Sequence, residues 1–175
     1  MNLGIFCASL EVDEEFKKDI TELGKELALK GHSLVYGAYN GGLMKAIADG
    51  FALGNGDIYG VTITSWNSNV HPLCKEVYYT ENLSQRKMKM IELSQGFIIL
   101  PGGTGTLDEL FEVIALQQTK ANTSPLIIYN YKGFYGGLLE WLKEITEKGF
   151  VNKETFDYLK VCNNKEEVIS YLETV

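Results

Sequence analysis

The sequence predicts an α/β protein with a doubly wound parallel sheet, and three observations lead to that prediction. Short apolar runs alternate with longer amphipathic segments along the chain, which is typical of strands that alternate with helices. The short runs are apolar at nearly every position, as in strands that helices cover on both faces. The length of 175 residues suits one domain with a substantial core, and no linker or internal repeat divides it. We therefore expect one α/β domain over residues 1–175.

Five strands and six helices are predicted in alternating order. The strands are Leu3–Ala8, Ser33–Tyr36, Ile58–Ile63, Phe97–Leu100 and Leu126–Tyr129. The helices are roughly Glu14–Lys30, Gly42–Leu53, Leu83–Ser94, Leu107–Thr119, Tyr135–Lys148 and Glu166–Leu172. The polar segment Asn67–Pro72 is expected to be an irregular loop.

The first helix illustrates the local signals behind these assignments. Phe16, Ile20 and Leu23 recur at helical spacing and define an apolar face. The acidic pair Glu14–Glu15 lies at the N-terminus, where the helix dipole favours negative charge. The pair Lys30–Gly31 supplies a C-terminal stop. The later helix Leu107–Thr119 differs because it is apolar on more than one face, so either the core or a partner subunit is expected to cover it.

Composition and charge limit the classes of partner. The formal net charge is −7 and no block of lysine and arginine is present, which argues against a nucleic-acid partner. No apolar run approaches the length of a membrane-spanning helix, and the N-terminus lacks the pattern of a signal peptide. Cys7, Cys74 and Cys162 are odd in number and widely spaced, as expected for free thiols in a reducing compartment. We therefore expect a cytoplasmic protein without membrane or nucleic-acid partners.

A glycine-rich turn between a strand and a helix is the strongest functional signal. It contains Pro101 and the candidate phosphate-binding residues Gly102, Gly103, Thr104, Gly105 and Thr106. Such a turn presents bare backbone N–H groups at the positive end of a helix dipole, which suits an anion such as phosphate. Asp108 and Glu109 are expected in the first turn of that helix. Because a simple phosphate site gains nothing from a neighbouring anion, one of these carboxylates is expected to take part in chemistry.

Two other strand ends are expected at the same edge of the sheet. Ser9 follows the first strand, and the glycine turn that contains Gly37 and Gly42 follows the second. Together with the Pro101 turn they favour a nucleotide or sugar-phosphate crevice, because ligands of such sheets bind beyond the carboxyl ends of the strands. The spacing fits neither the dinucleotide fingerprint after the first strand nor a Walker A loop, so NAD binding and ATP hydrolysis lose support.

A cationic helix precedes the strand that carries the Pro101 turn. Arg86 on this helix can aim a planar, bidentate guanidinium at an anion, and Lys87 is its neighbour and a second candidate for substrate binding. Lys89 fits better as part of a solvated face. His32 and His71 do not have the spacing of metal ligands, and neither a metal nor a cofactor is expected.

These residues resemble a known family. Arg86–Lys87, followed by the pattern Pro-Gly-Gly-x-Gly-Thr-x-x-Glu from Pro101 to Glu109, is similar to the signature of the "lonely guy" proteins. These are cytokinin riboside 5′-monophosphate phosphoribohydrolases that also carry the label of lysine decarboxylases. The resemblance extends over nearly the whole chain, and its supporting matches are Phe6–Ser9, Gly42–Met44, Gly133–Tyr135 and Glu147–Phe150.

The resemblance implies a Rossmann-like homodimer that hydrolyses the N-glycosidic bond of an AMP-like nucleoside 5′-monophosphate, releasing the free base and ribose 5-phosphate. It implies catalytic roles for Arg86 and Glu109 and phosphate binding by residues 102–106. The second glycine turn departs from the family pattern, because Ala38, Tyr39 and Lys45 stand where the family has glycine. Tyr39 is expected either to reshape the base pocket or to pack on the surface, so the preferred base stays open.

Two alternatives compete with this interpretation. The same crevice can hold a nucleotide without turnover, as in a sensor or carrier, although such a protein does not need Glu109. A pyridoxal-phosphate decarboxylase needs a Schiff-base lysine, for which Lys87 and Lys45 are the candidates. Neither lysine lies in a recognisable cofactor motif, and one domain of this size is small for that chemistry.

Overall fold

A computed structural model describes all 175 residues and contains one seven-stranded sheet. Every strand pair is parallel, and the strand order is β4-β3-β2-β1-β5-β6-β7. The strands are β1 Asn2–Phe6, β2 Ser33–Tyr36, β3 Ile58–Ile63, β4 Glu76–Thr80, β5 Gly96–Ile99, β6 Leu126–Tyr129 and β7 Leu159–Cys162.

Six α-helices cover the two faces of this sheet. They are α1 Glu14–Leu29, α2 Gly42–Leu53, α3 Leu83–Leu93, α4 Thr104–Gln118, α5 Gly136–Glu147 and α6 Lys165–Leu172. Short 3₁₀ helices span Thr64–Asn69, Tyr131–Gly133 and Lys153–Phe156. None of the helices combines the length and the apolar character that crossing a membrane requires.

Alternation along the strands divides the core into two layers. Ile98 of β5 and Ile127 of β6 pack with buried residues of α1, α2 and α6 on one face. Phe97 and Ile99 of β5 point to the other face and pack with residues of α3, α4 and α5. Both faces of the central strands are therefore buried, which explains their continuous apolar sequence. The predicted single α/β domain with a doubly wound parallel sheet is confirmed.

Two strands escape the sequence prediction because they lie at the edges of the sheet. Edge strand β4 is half-exposed, with Glu76 and Tyr79 open to solvent, and edge strand β7 is also only partly buried. Strands that are not covered on both faces do not need a continuous apolar run, which was the signal used for prediction. The segment Thr64–Asn69 is also more regular than expected, because it forms a 3₁₀ helix that includes the first half of the predicted loop.

Helix α4 begins at Thr104, three residues before the predicted start at Leu107. Gly103 holds an extended backbone conformation and caps the helix, so the glycine-rich turn is limited to Pro101–Gly103. Asp108 and Glu109 therefore lie in the second turn of α4 rather than the first. The prediction was wrong here because Gly105 breaks the apolar pattern without breaking the helix.

The strand order places a switch point between β1 and β5. From β1 the chain moves outward to β2, β3 and β4, and β5 then returns to the other side of β1. Beyond the strand ends, hydrogen bonds connect the loops that follow β1, β2 and β5. The backbone N–H of Ala8 donates to the carbonyl of Pro101 at 3.1 Å, and that of Leu43 donates to the carbonyl of Ala8 at 3.0 Å. A crevice opens at this edge, as expected for ligand sites in doubly wound sheets.

Candidate active site

One cavity of about 660 Å³ occupies this crevice. Its volume lies in the range of small-molecule sites. Most of the candidate residues from the sequence line it: Ser9, Gly37, Arg86, Gly103, Thr104, Gly105, Thr106 and Glu109. Three others do not: Gly42, Lys87 and Gly102.

Arg86 is held in the cavity by backbone carbonyls. It lies on the face of α3 that also buries Met90, and only 8% of its surface is exposed. Its Nε donates to the carbonyl of Val61 and its Nη2 donates to the carbonyl of Gly37, each at 2.9 Å. These bonds fix the plane of the guanidinium and leave Nη1 facing Glu109. Burial lowers the pKa of Arg86 and the charge of Glu109 opposes that shift, but a guanidinium remains a cation in proteins.

Gly37 provides the space that Arg86 occupies. A Cβ atom on Gly37 would lie 1.8 Å from Arg86 Nη2 and 3.0 Å from Arg86 Cζ. No side chain fits there while the guanidinium keeps its position. Gly37 therefore acts through Arg86, as a positioning residue.

Glu109 faces Arg86 from the core side of α4. It is 8% exposed, and its Oε1 lies 3.9 Å from Arg86 Nη1, beyond hydrogen-bond distance. Burial raises the pKa of Glu109 to about 7; the nearby charge of Arg86 pulls it down, and that of Asp108 pushes it up. A carboxyl group with such a pKa can exchange a proton near neutral pH, which is what general acid–base chemistry requires.

Asp108 occupies the outer side of the same helix turn. Lys87 Nζ lies 2.9 Å from Asp108 Oδ1 and 3.0 Å from Glu112 Oε2. Partial burial lowers the pKa of Lys87, but the hydrogen bonds to these two carboxylates outweigh burial and raise that pKa above its ordinary value. The structure thus separates the two candidate carboxylates: Glu109 lies in the cavity, and Asp108 belongs to a surface ion pair between α3 and α4.

The N-terminus of α4 forms one wall of the cavity. The N–H groups of Thr104, Gly105 and Thr106 lie in the first turn, where a helix has no internal acceptors, and the capping residue Gly103 has no side chain to supply one. Gly103 and Gly105 have no other atom within 4 Å of the position of a Cβ, so this wall is open. These amides and the helix dipole together suit an anion.

Gly42 and Gly102 allow close packing behind the cavity. Gly42 has a φ of +54°, and a Cβ there would meet the carbonyl oxygen of Leu10 at 2.4 Å. A Cβ on Gly102 would lie 2.1 Å from Thr106 Oγ1. Gly42 is therefore required by the backbone of its turn and Gly102 by the close approach of the Thr106 side chain, and neither lines the cavity.

Residues of the Thr64–Asn69 helix also line the cavity, and sequence reasoning did not select them as site residues. Ser65, Trp66, Ser68 and Asn69 lie there because β3 ends at the same edge of the sheet as β1, β2 and β5. Trp66 is 51% exposed and its ring centroid lies 5.8 Å from Arg86 Cζ. An aromatic residue among serines and asparagines just after a strand was the signal that could have identified this segment.

The cysteine of the cavity is not activated as a nucleophile. Cys7 lines the cavity, but burial and then the charge of Glu109 raise the pKa of its thiol, which keeps it protonated. No group of three or more histidine, cysteine, aspartate or glutamate side chains lies close enough together to hold a metal ion. The cavity thus offers a carboxyl group that can exchange a proton near neutral pH, a fixed guanidinium beside it, and free amides at the N-terminus of α4.

The chain is similar to plant and bacterial proteins over almost its full length. It is 33% identical over 173 residues to the probable cytokinin riboside 5′-monophosphate phosphoribohydrolase LOGL2 of Oryza sativa subsp. japonica, which covers 97% of this chain and 70% of that protein. The corresponding enzyme LOG1 of Arabidopsis thaliana is 32% identical, covering 97% and 81%. The enzyme of that name from Rhodococcoides fascians is 30% identical, covering 97% and 88%.

Solved structures share the fold at lower sequence identity. The molybdenum cofactor binding protein from Rippkaea orientalis superposes with a TM-score of 0.74 and 19% identity, covering 99% of this chain and 95% of that one. The molybdenum cofactor carrier protein from Chlamydomonas reinhardtii gives a TM-score of 0.71 at 17% identity, covering 99% and 96%. At this identity the likeness concerns the fold alone.

A family model described as "Possible lysine decarboxylase" matches residues 44–172, which include Arg86 and the whole Pro101–Glu109 motif. The resemblance noted in the sequence is thereby confirmed. The chain belongs to this family, in which its relatives are named cytokinin riboside 5′-monophosphate phosphoribohydrolases.

Proposed function

We propose that the protein hydrolyses the N-glycosidic bond of a nucleoside 5′-monophosphate and releases the free base and ribose 5-phosphate. The observation that carries this proposal is the buried Arg86–Glu109 pair, which shares one cavity with the open N-terminus of α4. The names of the relatives support the same reaction class. We also expect the protein to act without a resident metal or organic cofactor.

The phosphate would bind at the N-terminus of α4. The amides of residues 104–106 supply donors, and the helix dipole favours the anionic group. Glu109 lies five residues beyond Thr104, which corresponds to roughly 7.5 Å along the helix axis. A phosphate held at the helix end thus places the ribose beside Glu109. Binding energy from this remote group supports orientation at the reacting carbon.

Glu109 would act on the ribose. Cleavage of the bond between C1′ and the base nitrogen builds positive charge on the sugar ring, as in glycoside hydrolysis. The ionised carboxylate stabilises this charge and accepts a proton from the attacking water, whose oxygen bonds to C1′. The base nitrogen keeps the electron pair of the broken bond and takes up a proton from solvent. A pKa of about 7 keeps a substantial fraction of Glu109 ionised at neutral pH.

Arg86 would keep Glu109 in its ionised form. Burial raises the pKa of Glu109, and the positive charge at 3.9 Å works against that increase. Because Nε and Nη2 are bound to carbonyls, Nη1 is the guanidinium nitrogen left to meet a ribose hydroxyl or a phosphate oxygen. Arg86 thus both tunes the carboxylate and contacts the substrate.

The test compares AMP with adenosine, which lacks the phosphate, and follows release of adenine by chromatography. The proposal predicts adenine and ribose 5-phosphate in equal amounts from AMP and far slower release from adenosine, because the α4 amides then have no anion to bind. Equal rates from both compounds would rule out the phosphate site. Release from neither AMP nor isopentenyl-AMP, together with saturable nucleotide binding, would favour the sensor or carrier alternative.

The decarboxylase alternative is weaker on physical grounds. A Schiff-base lysine must lose its proton, but the hydrogen bonds from Lys87 to Asp108 and Glu112 raise the pKa of its ammonium group. Lys45 pairs with Asp49, and neither lysine lines the cavity. An absorbance scan of the protein mixed with pyridoxal phosphate tests this directly: a Schiff-base band, lost on substitution of either lysine, would revive the alternative.

We further propose that the protein is a homodimer that uses the outer face of α4 and α5. Leu110, Val113 and Ile114 of α4 are in the core, and Phe111 is only partly buried against it. Phe111 packs edge-to-face on Trp141 at 6.2 Å, and Trp141 is still 48% exposed. Light scattering should give twice the chain mass for the parent protein and the single mass for Trp141→Glu. A monomeric parent would contradict the proposal.

A further inference from the structure

Two partly exposed aromatic side chains line the cavity. Trp66 and Tyr39 both line the cavity, and they are 51% and 41% exposed. Tyr39 stands at a position where this chain departs from the family pattern in the sequence. Large aromatic side chains left this exposed at a concave site commonly hold a planar ligand by stacking.

Hydrogen bonds join the segments that carry these two residues. Tyr39 forms an isolated antiparallel bridge with Val70. The backbone N–H of Asn40 donates to the carbonyl of Asn69 at 3.0 Å, and that of His71 donates to the carbonyl of Ala38 at 2.9 Å. The Tyr39 turn and the Trp66 helix therefore form one connected rim.

Two further contacts fix this rim on the molecule. His71 is 2% exposed, and its Nε2 lies 3.0 Å from Asp49 Oδ1 on α2. The ring of Tyr39 covers Gly41 so closely that a Cβ there would lie 2.5 Å from Tyr39 Cε1. The aromatic side chains are thus presented on an anchored segment, as expected for a binding surface.

The position of Trp66 relative to Arg86 determines which part of a nucleotide it meets. Arg86 Cζ lies over the ring of Trp66, 5.8 Å from its centroid, and Arg86 Nη1 lies 3.9 Å from Glu109 Oε1. Glu109 marks the position of C1′ in the proposed reaction. A base attached to C1′ then lies within reach of Trp66, which lines the same cavity and contacts Arg86.

We propose that Trp66 is the stacking platform for the base, with Tyr39 as a second aromatic contact. This inference rests on the proposed function and deepens it. Stacking strength grows with the overlap of the two ring systems, so a fused purine gains more from an indole than a single pyrimidine ring does. The half-exposed indole supplies that surface beside the reacting bond.

The test measures binding without turnover in the Glu109→Gln background. Calorimetry gives the affinity for AMP, for CMP and for ribose 5-phosphate, which lacks a base. Trp66→Leu should weaken AMP binding by about 5- to 150-fold, the range for loss of one stacked base. The affinity for ribose 5-phosphate should change less than about twofold, because this compound has no base to stack and Arg86 keeps its hydrogen bonds to the carbonyls of Val61 and Gly37.

Three further variants sharpen this experiment. Trp66→Phe should restore most of the AMP affinity, because it keeps an aromatic face. Tyr39→Leu should weaken AMP binding less than Trp66→Leu does. In a Trp141→Phe protein, where Trp66 is the remaining tryptophan, AMP should quench the fluorescence and ribose 5-phosphate should not.

The outcomes separate the two proposals. Unchanged AMP affinity in Trp66→Leu, or an equal loss for AMP and ribose 5-phosphate, overturns the stacking role and leaves the proposed reaction standing. Equal affinity for AMP and CMP in the Glu109→Gln protein also overturns the stacking role, because the larger overlap of the purine with the indole would then contribute nothing. Binding of none of the three compounds by the parent overturns the nucleotide function itself and the stacking role with it.

Discussion

The substitution Gly37→Ala tests how the backbone positions Arg86. The added Cβ would lie 1.8 Å from Arg86 Nη2, and an ordinary contact begins at 3.4 Å, so the guanidinium must move by about 1.6 Å. That movement breaks the 2.9 Å hydrogen bond to the carbonyl of Gly37. A hydrogen bond to a charged group contributes about 1.5–3 kcal/mol, so we expect the melting temperature to fall by roughly 3–12 °C.

The loss of activity should exceed what this stability change explains. Misplacement of a catalytic group by about 1 Å can cost on the order of 100-fold in rate, and Arg86 moves at least that far. We expect kcat/KM for base release to fall at least 100-fold while circular dichroism shows a folded protein. Gly137→Ala is the matched control, because a Cβ at position 137 meets nothing within 4 Å and this residue lies on α5, which does not line the cavity. Wild-type kcat/KM in Gly37→Ala would refute this account of Arg86.

Three other predictions concern Glu109 and Gly42. Because burial raises the pKa of Glu109 to about 7 and the proposed base is the carboxylate, kcat/KM should rise with pH to a plateau with an apparent pKa of about 7; a flat profile between about pH 5 and 9 would contradict that role. The folded chain also holds this proton more tightly than the unfolded chain, whose ordinary value is 4.5, so the unfolding free energy should fall as pH rises from 4.5 to about 7. Glu109→Gln removes that dependence. In denaturant titrations the unfolding free energy of Glu109→Gln should therefore rise relative to that of the wild type by up to about 3 kcal/mol between pH 4.5 and about 7. A constant difference between the two proteins over this range would show that Glu109 titrates normally. Gly42→Ala forces a side chain into a positive-φ position against Leu10 and should lower the unfolding free energy by at least about 1–3 kcal/mol, whereas an unchanged melting temperature would show that the turn relaxes easily.

The sequence predicts the central sheet and the location of the site because both depend on local patterns. Strands buried on both faces have a continuous apolar sequence, and Gly37 and the Pro101 turn mark strand ends that must meet in a parallel sheet. Edge strands β4 and β7 lack this pattern because solvent covers part of their surface. These two strands form by pairing with β3 and β6, and the local sequence does not specify that pairing.

Within the site, the direction of each side chain is what the sequence leaves open. Asp108 and Glu109 are adjacent in sequence, yet a step of one residue on α4 turns one to the surface and the other into the cavity. Lys87 is likewise turned away from Arg86 toward the carboxylates of α4. Because the predicted start of α4 lies three residues too late, the prediction did not show which of the two carboxylates faces the cavity. Trp66 was missed because a polar segment carries no periodicity from which its orientation follows.

The activities of Glu109→Gln and Asp108→Asn, measured side by side with AMP, test the central claim most directly. The two substitutions make the same chemical change at adjacent residues, one in the cavity and one in a surface ion pair that contributes at most about 1 kcal/mol. The account predicts that release of adenine is abolished in Glu109→Gln and stays within about threefold of the wild type in Asp108→Asn. Full activity in Glu109→Gln, or equal losses in the two variants, would contradict it.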